Sequence, residues 1–201
     1  MATDIPATLV KALRDRTGAG MMECKKALVE AEGDLEAATT VLRKRGLAQA
    51  AKKSGRATGE GLVGSYIHQG GKIGVLVELN CESDFVARTD DFQSLLKELA
   101  LQVAAASPEY VSREDVPEDL LERERGIYRA QLEQSGKPAA VIEKIIEGKL
   151  GSFYEQVALL DQKSIRDPKT TVGQALQATI AKLGENIGVA RFVRFKVGES
   201  A

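Results

Sequence analysis

The sequence predicts an α+β protein in which a helical N-terminal module is followed by a basic connection and a core domain, where a small antiparallel three-stranded sheet packs with helices. Three observations carry this expectation. Apolar residues recur at helical spacing through roughly the first 45 residues. The period falls to two in residues 62–68 and 73–80, which are rich in Val, Ile, Leu and Tyr. Helical spacing then returns before a last β-rich run over 187–197 that includes Phe192 and Phe195. The expected division is residues 1–45 as a three-helix docking module, 46–59 as a basic linker and 60–201 as the α+β core domain.

Asp4 followed by Pro6 is a helix start signal, with Ile5, Leu9, Ala12 and Leu13 on one stripe and a stop at Thr17-Gly18. A second helix, from about Gly20 to Glu32, carries Met21, Cys24, Leu28 and Ala31, and Gly33 is placed to cap its C-terminus. Asp34 caps the third, whose apolar face is Leu35, Ala38, Val41 and Leu42. From Arg43 to Gly59 there are six Lys and Arg and no acidic residue, which marks a boundary. Gln69-Gly70-Gly71 supplies the turn of an antiparallel hairpin. Thr89, Asp90 and Asp91 open a helix striped by Phe92, Leu95, Leu96, Leu99 and Val103, and Pro117 starts another with Leu120, Leu121, Ile127, Tyr128 and Leu132. Its other face mixes charges, with pairs such as Asp119 to Arg123 expected. Gly136-Lys137-Pro138 breaks the chain before one long broken helix or two, and a last helix ends at Gly184. The final strand should join the hairpin.

Composition excludes several function classes. Lys and Arg total 28 against 29 Asp and Glu, so no global field draws the chain to nucleic acid or to an anionic membrane, and recognition has to be local. No segment approaches the ~20 apolar residues of a membrane span, and the N-terminus lacks the cationic and apolar pattern of a leader, so a cytoplasmic protein is expected. Cys24 and Cys81 stand far apart without a C-x-x-C pairing, which suits reduced thiols. His68 is the only histidine, so any catalytic triad, dyad or multi-histidine metal site would have to form around it. The reading is therefore of a non-enzyme with no cofactor and no metal.

The stretch Gly59-Glu60-Gly61-Leu62-Val63-Gly64 spells G-x-G-x-x-G, yet a dinucleotide fingerprint needs a strand before it and a helix after it. Here a basic linker precedes and a hairpin strand follows. The linker has no aromatic residue for base stacking, so direct nucleic-acid binding is not expected, although an RNA- or ribosome-associated adaptor is the alternative function.

Two stretches break local rules. In 13–28, LRDRTGAGMMECKKAL, the interhelical turn brings Arg14, Met21 and Met22 close, and both methionines cannot face one tiny core. An exposed methionine suits an adaptable docking patch, while a core-filling role for one of the pair is equally open. In 78–88, ELNCESDFVAR, a strand ends and a helix begins, leaving Asp84-Phe85 in a short connection. Phe85 is either a lid folded back on the core, with Asp84 a cap, or an aromatic presented to a partner.

Both stretches resemble signature segments of elongation factor Ts, and the likeness extends through AAKK at 50–53 to AKLGENI at 181–187. The resemblance implies that the N-terminal module is similar to ubiquitin-associated domains and docks on the GTPase domain of elongation factor Tu through Arg14, Met21 and Met22. It implies that the family's T-D-F-V tetrapeptide, here Ser83-Asp84-Phe85-Val86, is pushed in beside the nucleotide of that GTPase and displaces magnesium, which makes the function guanine nucleotide exchange in translation elongation. Ser83 replaces the family's Thr and keeps its hydroxyl, so a capping or turn bond should survive. The chain looks like the short form of the family, without room for a duplicated core half or an inserted coiled coil. Short forms are associated with homodimers.

Overall fold

The computed structural model describes residues 5–133 and 136–199. Its elements run α1 (Ala7–Thr17), α2 (Met21–Glu30), α3 (Leu35–Lys53), β1 (Glu60–Ile67), β2 (Ile73–Cys81), α4 (Asp84–Ala87), α5 (Asp90–Ala106), α6 (Glu118–Leu132), α7 (Ala139–Val157), α8 (Val172–Leu183) and β3 (Ile187–Lys196). The three strands form one antiparallel sheet in the order β1-β2-β3, so the chain is α+β, and the last strand does join the hairpin. Two compact units divide it: one holds the chain up to Leu62, Asn80–Leu95 and Leu176–Gly188, the other Val63–Leu79, Leu96–Ala175 and the chain from Val189.

Local chemistry sets most boundaries in the first unit. Gly18 ends α1 in the left-handed region at φ 68°, where a side chain would be strained, and its N–H donates to the Arg14 carbonyl. Gly33, at φ 88°, donates to the Leu28 carbonyl after α2. The Asp34 carboxylate accepts the Ala37 N–H at 2.7 Å and caps α3. The expected start signal at Asp4 lies outside the described residues, and Pro6 directly precedes α1. Val10, Leu13, Cys24, Ala27, Leu28 and Ala38 bury one small core among the three helices.

α3 is much longer than its apolar stripe predicts, continuing through the basic stretch to Lys53. Arg, Lys, Ala and Gln are strong helix formers and the cations lie toward the C-terminal, negative end of the helix dipole, which together offset the cost of Gly46 in the interior. Gly46 has its own reason: a Cβ there would come 3.1 Å from the Ala181 Cβ, so the missing side chain lets α8 approach. Only residues past Lys53 are free of helix.

In the second unit the alternation of β2 separates two faces. Val75, Val77 and Leu79 are buried, whereas Leu76 points to the exposed side. Gly64 on β1 takes the core side, where an added Cβ would lie 2.6 Å from Leu96, so the last glycine of the G-x-G-x-x-G run serves packing. The paired amides of Gln102 and Gln162 are buried and satisfied, Gln102 Nε2 donating to Gln162 Oε1 at 3.1 Å and its Oε1 accepting the Ile165 N–H at 2.9 Å.

α6 and α7 pack side by side as an antiparallel pair, with Arg129 on Glu143 at 3.0 Å, Lys149 over the Tyr128 ring at 5.0 Å, and Leu121, Ile146 and Leu150 in a core of their own. The chain therefore carries a helical hairpin here, built from the helix that Pro117 starts and the one that follows Pro138. α7 passes through Gly148 and Gly151 as one helix, because both glycines face open space and neither takes a left-handed φ. Two further details differ from the periodic reading: Ile127 is exposed, and Arg125 rather than Arg123 pairs on the charged face, reaching Glu118 and Glu122.

Candidate functional site

β2 ends at Cys81, and the chain then turns into α4, a single helical turn. Phe85 therefore sits on a one-turn helix and not in the irregular connection the sequence predicts. The turn is amphipathic in the plainest sense. Val86 and Ala87 are buried beneath it, while Phe85 on its outer side is 79% exposed. The lid reading is thus corrected, since a lid would bury the ring. Asp84 is half-exposed and pairs with Arg88 at 2.7 Å one turn later, so it is no cap.

What anchors this turn comes from far away in sequence. Gly184 closes α8 at φ 81°, and the next two residues bend back toward the end of β2. The Glu185 carboxylate accepts from both donors of Ser83, the hydroxyl at 2.6 Å and the backbone N–H at 3.0 Å. Ser83 makes no side-chain cap of α4; its hydroxyl is spent on this ion, a bond that either Ser or Thr can make. Alongside, Glu82 accepts the Asn186 N–H at 2.6 Å, and the Asn186 amide donates to the carbonyls of Arg56 at 2.8 Å and Ser54 at 3.4 Å. Asn186 is buried, and its pairing removes the cost of hiding an amide.

The charges here are tuned by these contacts. The Asn186 N–H, aided by the Arg56 guanidinium at 3.4 Å, holds the Glu82 carboxyl below its ordinary range against the opposing effect of desolvation. A carboxylate whose pKa is lower in the folded than in the unfolded chain contributes stability above the unfolded value and loses it as pH falls through the folded value. Glu82→Gln should therefore lower the melting temperature at pH 7, with the gap between parent and variant closing as pH falls below about 4.3; melting curves taken from pH 7 to well below that value check this. Burial pushes the Cys81 thiol up, and the Glu185 charge adds to the rise. Both cysteines are free and buried.

Met21 and Met22 open α2 and are both exposed, at 45% and 65%, while Cys24, Ala27 and Leu28 from the same helix fill the core. Neither methionine fills the core, which removes that alternative. Arg14 is exposed near the end of α1. All seven residues singled out in the sequence fall in the first compact unit.

The sequence reading missed Glu82, Glu185 and Asn186 as supports of the turn. Two signals were present: a Gly after a helix followed by two polar residues and a strand, and the place of Glu185 and Asn186 within the AKLGENI likeness. His68 is exposed and meets the Tyr66 hydroxyl at 3.0 Å through Nδ1. Among the described residues no group of three or more His, Cys, Asp and Glu is arranged to hold a metal ion, and no helix is long and apolar enough to cross a membrane.

A family model described as "Elongation factor TS" matches residues 17–199. Relatives named elongation factor Ts share most of the chain: that of Thermosipho melanesiensis is 62% identical over 97% of this chain and the whole of its own length. The protein of Fervidobacterium nodosum is 61% identical over 98% of this chain and all of its own. In Solibacter usitatus the relative is 58% identical, covering 98% of this chain and 93% of its own.

Proposed function

We propose that this chain, which belongs to the elongation factor Ts family and so serves translation elongation, is a guanine nucleotide exchange factor that acts on the GDP-bound form of elongation factor Tu without catalysing any bond chemistry. The exposure of Phe85 carries the reading. A ring held 79% in solvent on a turn whose other two apolar side chains, Val86 and Ala87, are buried adds little to the fold and is available to a partner.

Magnesium neutralises the phosphates of a nucleotide bound to the GTPase, so moving the ion or its ligands weakens GDP binding. An aromatic wedge entering beside the nucleotide site, with Asp84 next to it, does this by occupying the space that the closed site needs. Coupling is reciprocal, so GDP weakens the exchange factor's binding by the same factor as the exchange factor weakens GDP. Rebinding of GTP then completes the cycle.

Residues 1–45 are the docking module in this reading, with Arg14, Met21 and Met22 on the contact face. Flexible, polarisable Met side chains fit a partner surface at small cost. Because both are exposed, Met21→Ala with Met22→Ala should change the melting temperature little and weaken complex formation, by roughly tenfold for the loss of about 1.4 kcal/mol; titration calorimetry against the GDP-loaded partner measures it. A large stability loss with unchanged affinity would remove the pair from the interface.

The outer face of the sheet supports a homodimer. Val63, Ile67, Leu76, Val193 and Phe195 are exposed together on it, opposite the buried row of β2. A second copy covers such a face with an identical one, giving two sheets packed face to face about a two-fold axis. Arg191 and Glu78, paired at 2.7 Å across the strands, put both charge signs on the same face, as self-association requires.

Titrating the chain into elongation factor Tu carrying fluorescent GDP tests the main reading. GDP release accelerated in proportion to added chain is expected. Release at the intrinsic rate, with instead a steeply salt-dependent binding of RNA, would replace exchange by the adaptor function.

A further inference from the structure

We infer that Glu185 is a positioning residue for exchange: by gripping the hydroxyl and the backbone N–H of Ser83 it fixes the single helical turn from which Phe85 projects. The inference rests on the exchange reading given above and adds to it the residue that aims the wedge.

A four-residue helix cannot hold itself together, because one turn fixes several dihedral angles for a single hydrogen bond. The internal bonds of α4 reflect this, with the Ala87 N–H at 3.4 Å from the Ser83 carbonyl and the Arg88 N–H at 3.2 Å from that of Asp84. The contacts made by Glu185 are shorter, at 2.6 and 3.0 Å, and the acceptor is ionised, which roughly doubles the strength of each bond. Ser83 is the residue immediately before α4, in extended conformation at φ −135° and ψ 154°. Holding both of its donors sets the direction in which the turn leaves the strand.

Glu185 is itself held. It follows Gly184 and precedes Asn186, whose N–H is on Glu82 and whose amide is on the carbonyls after α3. The aim of Phe85 is thereby referred to the end of β2, to the end of α3 and to the start of β3 at once. A ring that must enter a confined site loses effectiveness when its base wanders by an ångström, which is why the support is expected to register in rate.

Glu185→Ala removes both acceptors and should slow stimulated GDP release about fivefold to tenfold at saturating exchange factor. Glu185→Gln keeps the volume and one acceptor and should fall between, and Ser83→Ala should lose part of the same rate. The decisive measurement is the same Glu185→Ala change in a Phe85→Ala background. A residue acting through Phe85 has nothing left to aim there, so no further slowing is expected, whereas general loosening of the fold would slow both backgrounds alike. Equal slowing in the two backgrounds, or a Glu185→Ala protein at the parent rate beside a slow Phe85→Ala protein, overturns the inference and leaves the exchange reading standing. A Phe85→Ala protein at the parent rate takes down the wedge and, with it, the inference.

Discussion

Phe85→Ala is expected to melt within a degree or two of the parent and to release GDP from the partner about ten times more slowly, a barrier increase of ~1.4 kcal/mol. The stability half follows from exposure: with the ring 79% in solvent, truncation removes little buried area, opens no cavity, and replaces an aromatic residue by a better helix former. The rate half follows from what alanine lacks, which is the reach to hold a switch element aside. Val86, the next residue, supplies the control. It is buried under the same turn, so Val86→Ala should cost about 2 kcal/mol and appear first in the melting curve. Thermal melting and stopped-flow release on the same preparations separate the two. A Phe85→Ala protein that melts early but, while folded, exchanges at the parent rate would mean that the ring serves the fold.

Charging the outer face of the sheet is expected to have the largest effect on assembly. Ile67→Asp with Phe195→Asp places two carboxylates per copy where the dimer would bury apolar surface, four in all, and an unpaired buried charge costs several kcal/mol. A loss of even ~4 kcal/mol raises the dissociation constant about a thousandfold. The single chain should be unaffected in fold, since Phe195 is 66% exposed and Ile67 stands equally far out of the core. Light scattering should therefore give twice the chain mass for the parent and the chain mass for the variant, with unchanged helical circular dichroism. A parent that runs as a single chain at high concentration ends the homodimer proposal.

What the sequence reveals of this fold is its punctuation. Gly18, Gly33, Asp34 and the Gln69-Gly70-Gly71 turn each act through their own backbone geometry or a bond within a few residues, so local chemistry suffices to place them. α3 runs past its apolar stripe because helix propensity and the contact of Gly46 with Ala181 extend it, and only the first of these is visible in the sequence. α4 is illegible for a stronger reason. It depends on Glu185, 102 residues beyond Ser83, and no periodicity reports a support that distant. The exposure of both methionines was half legible, in that a core of a few short helices has no room for two side chains opening the same helix, yet which one would turn inward had no local answer, and neither does.

Lys182 has a further consequence. It pairs with Asp91 at 2.6 Å and lies so close over Gly18 that a Cβ there would be 2.9 Å from its Cε, while Ala181 abuts Gly46 and Asn186 holds the end of α3. The three N-terminal helices and the Phe85 turn thus share one compact unit. On the proposed reading, two contact points on one body would act as a bivalent ligand: once the methionine face docked, Phe85 would be presented to the partner's nucleotide site at an effective concentration of about millimolar order, whatever the cellular level of the factor. Saturation curves should record the division of labour. Losing the methionines moves the half-saturation point and spares the plateau, whereas losing Phe85 lowers the plateau and leaves the half-saturation point nearly in place.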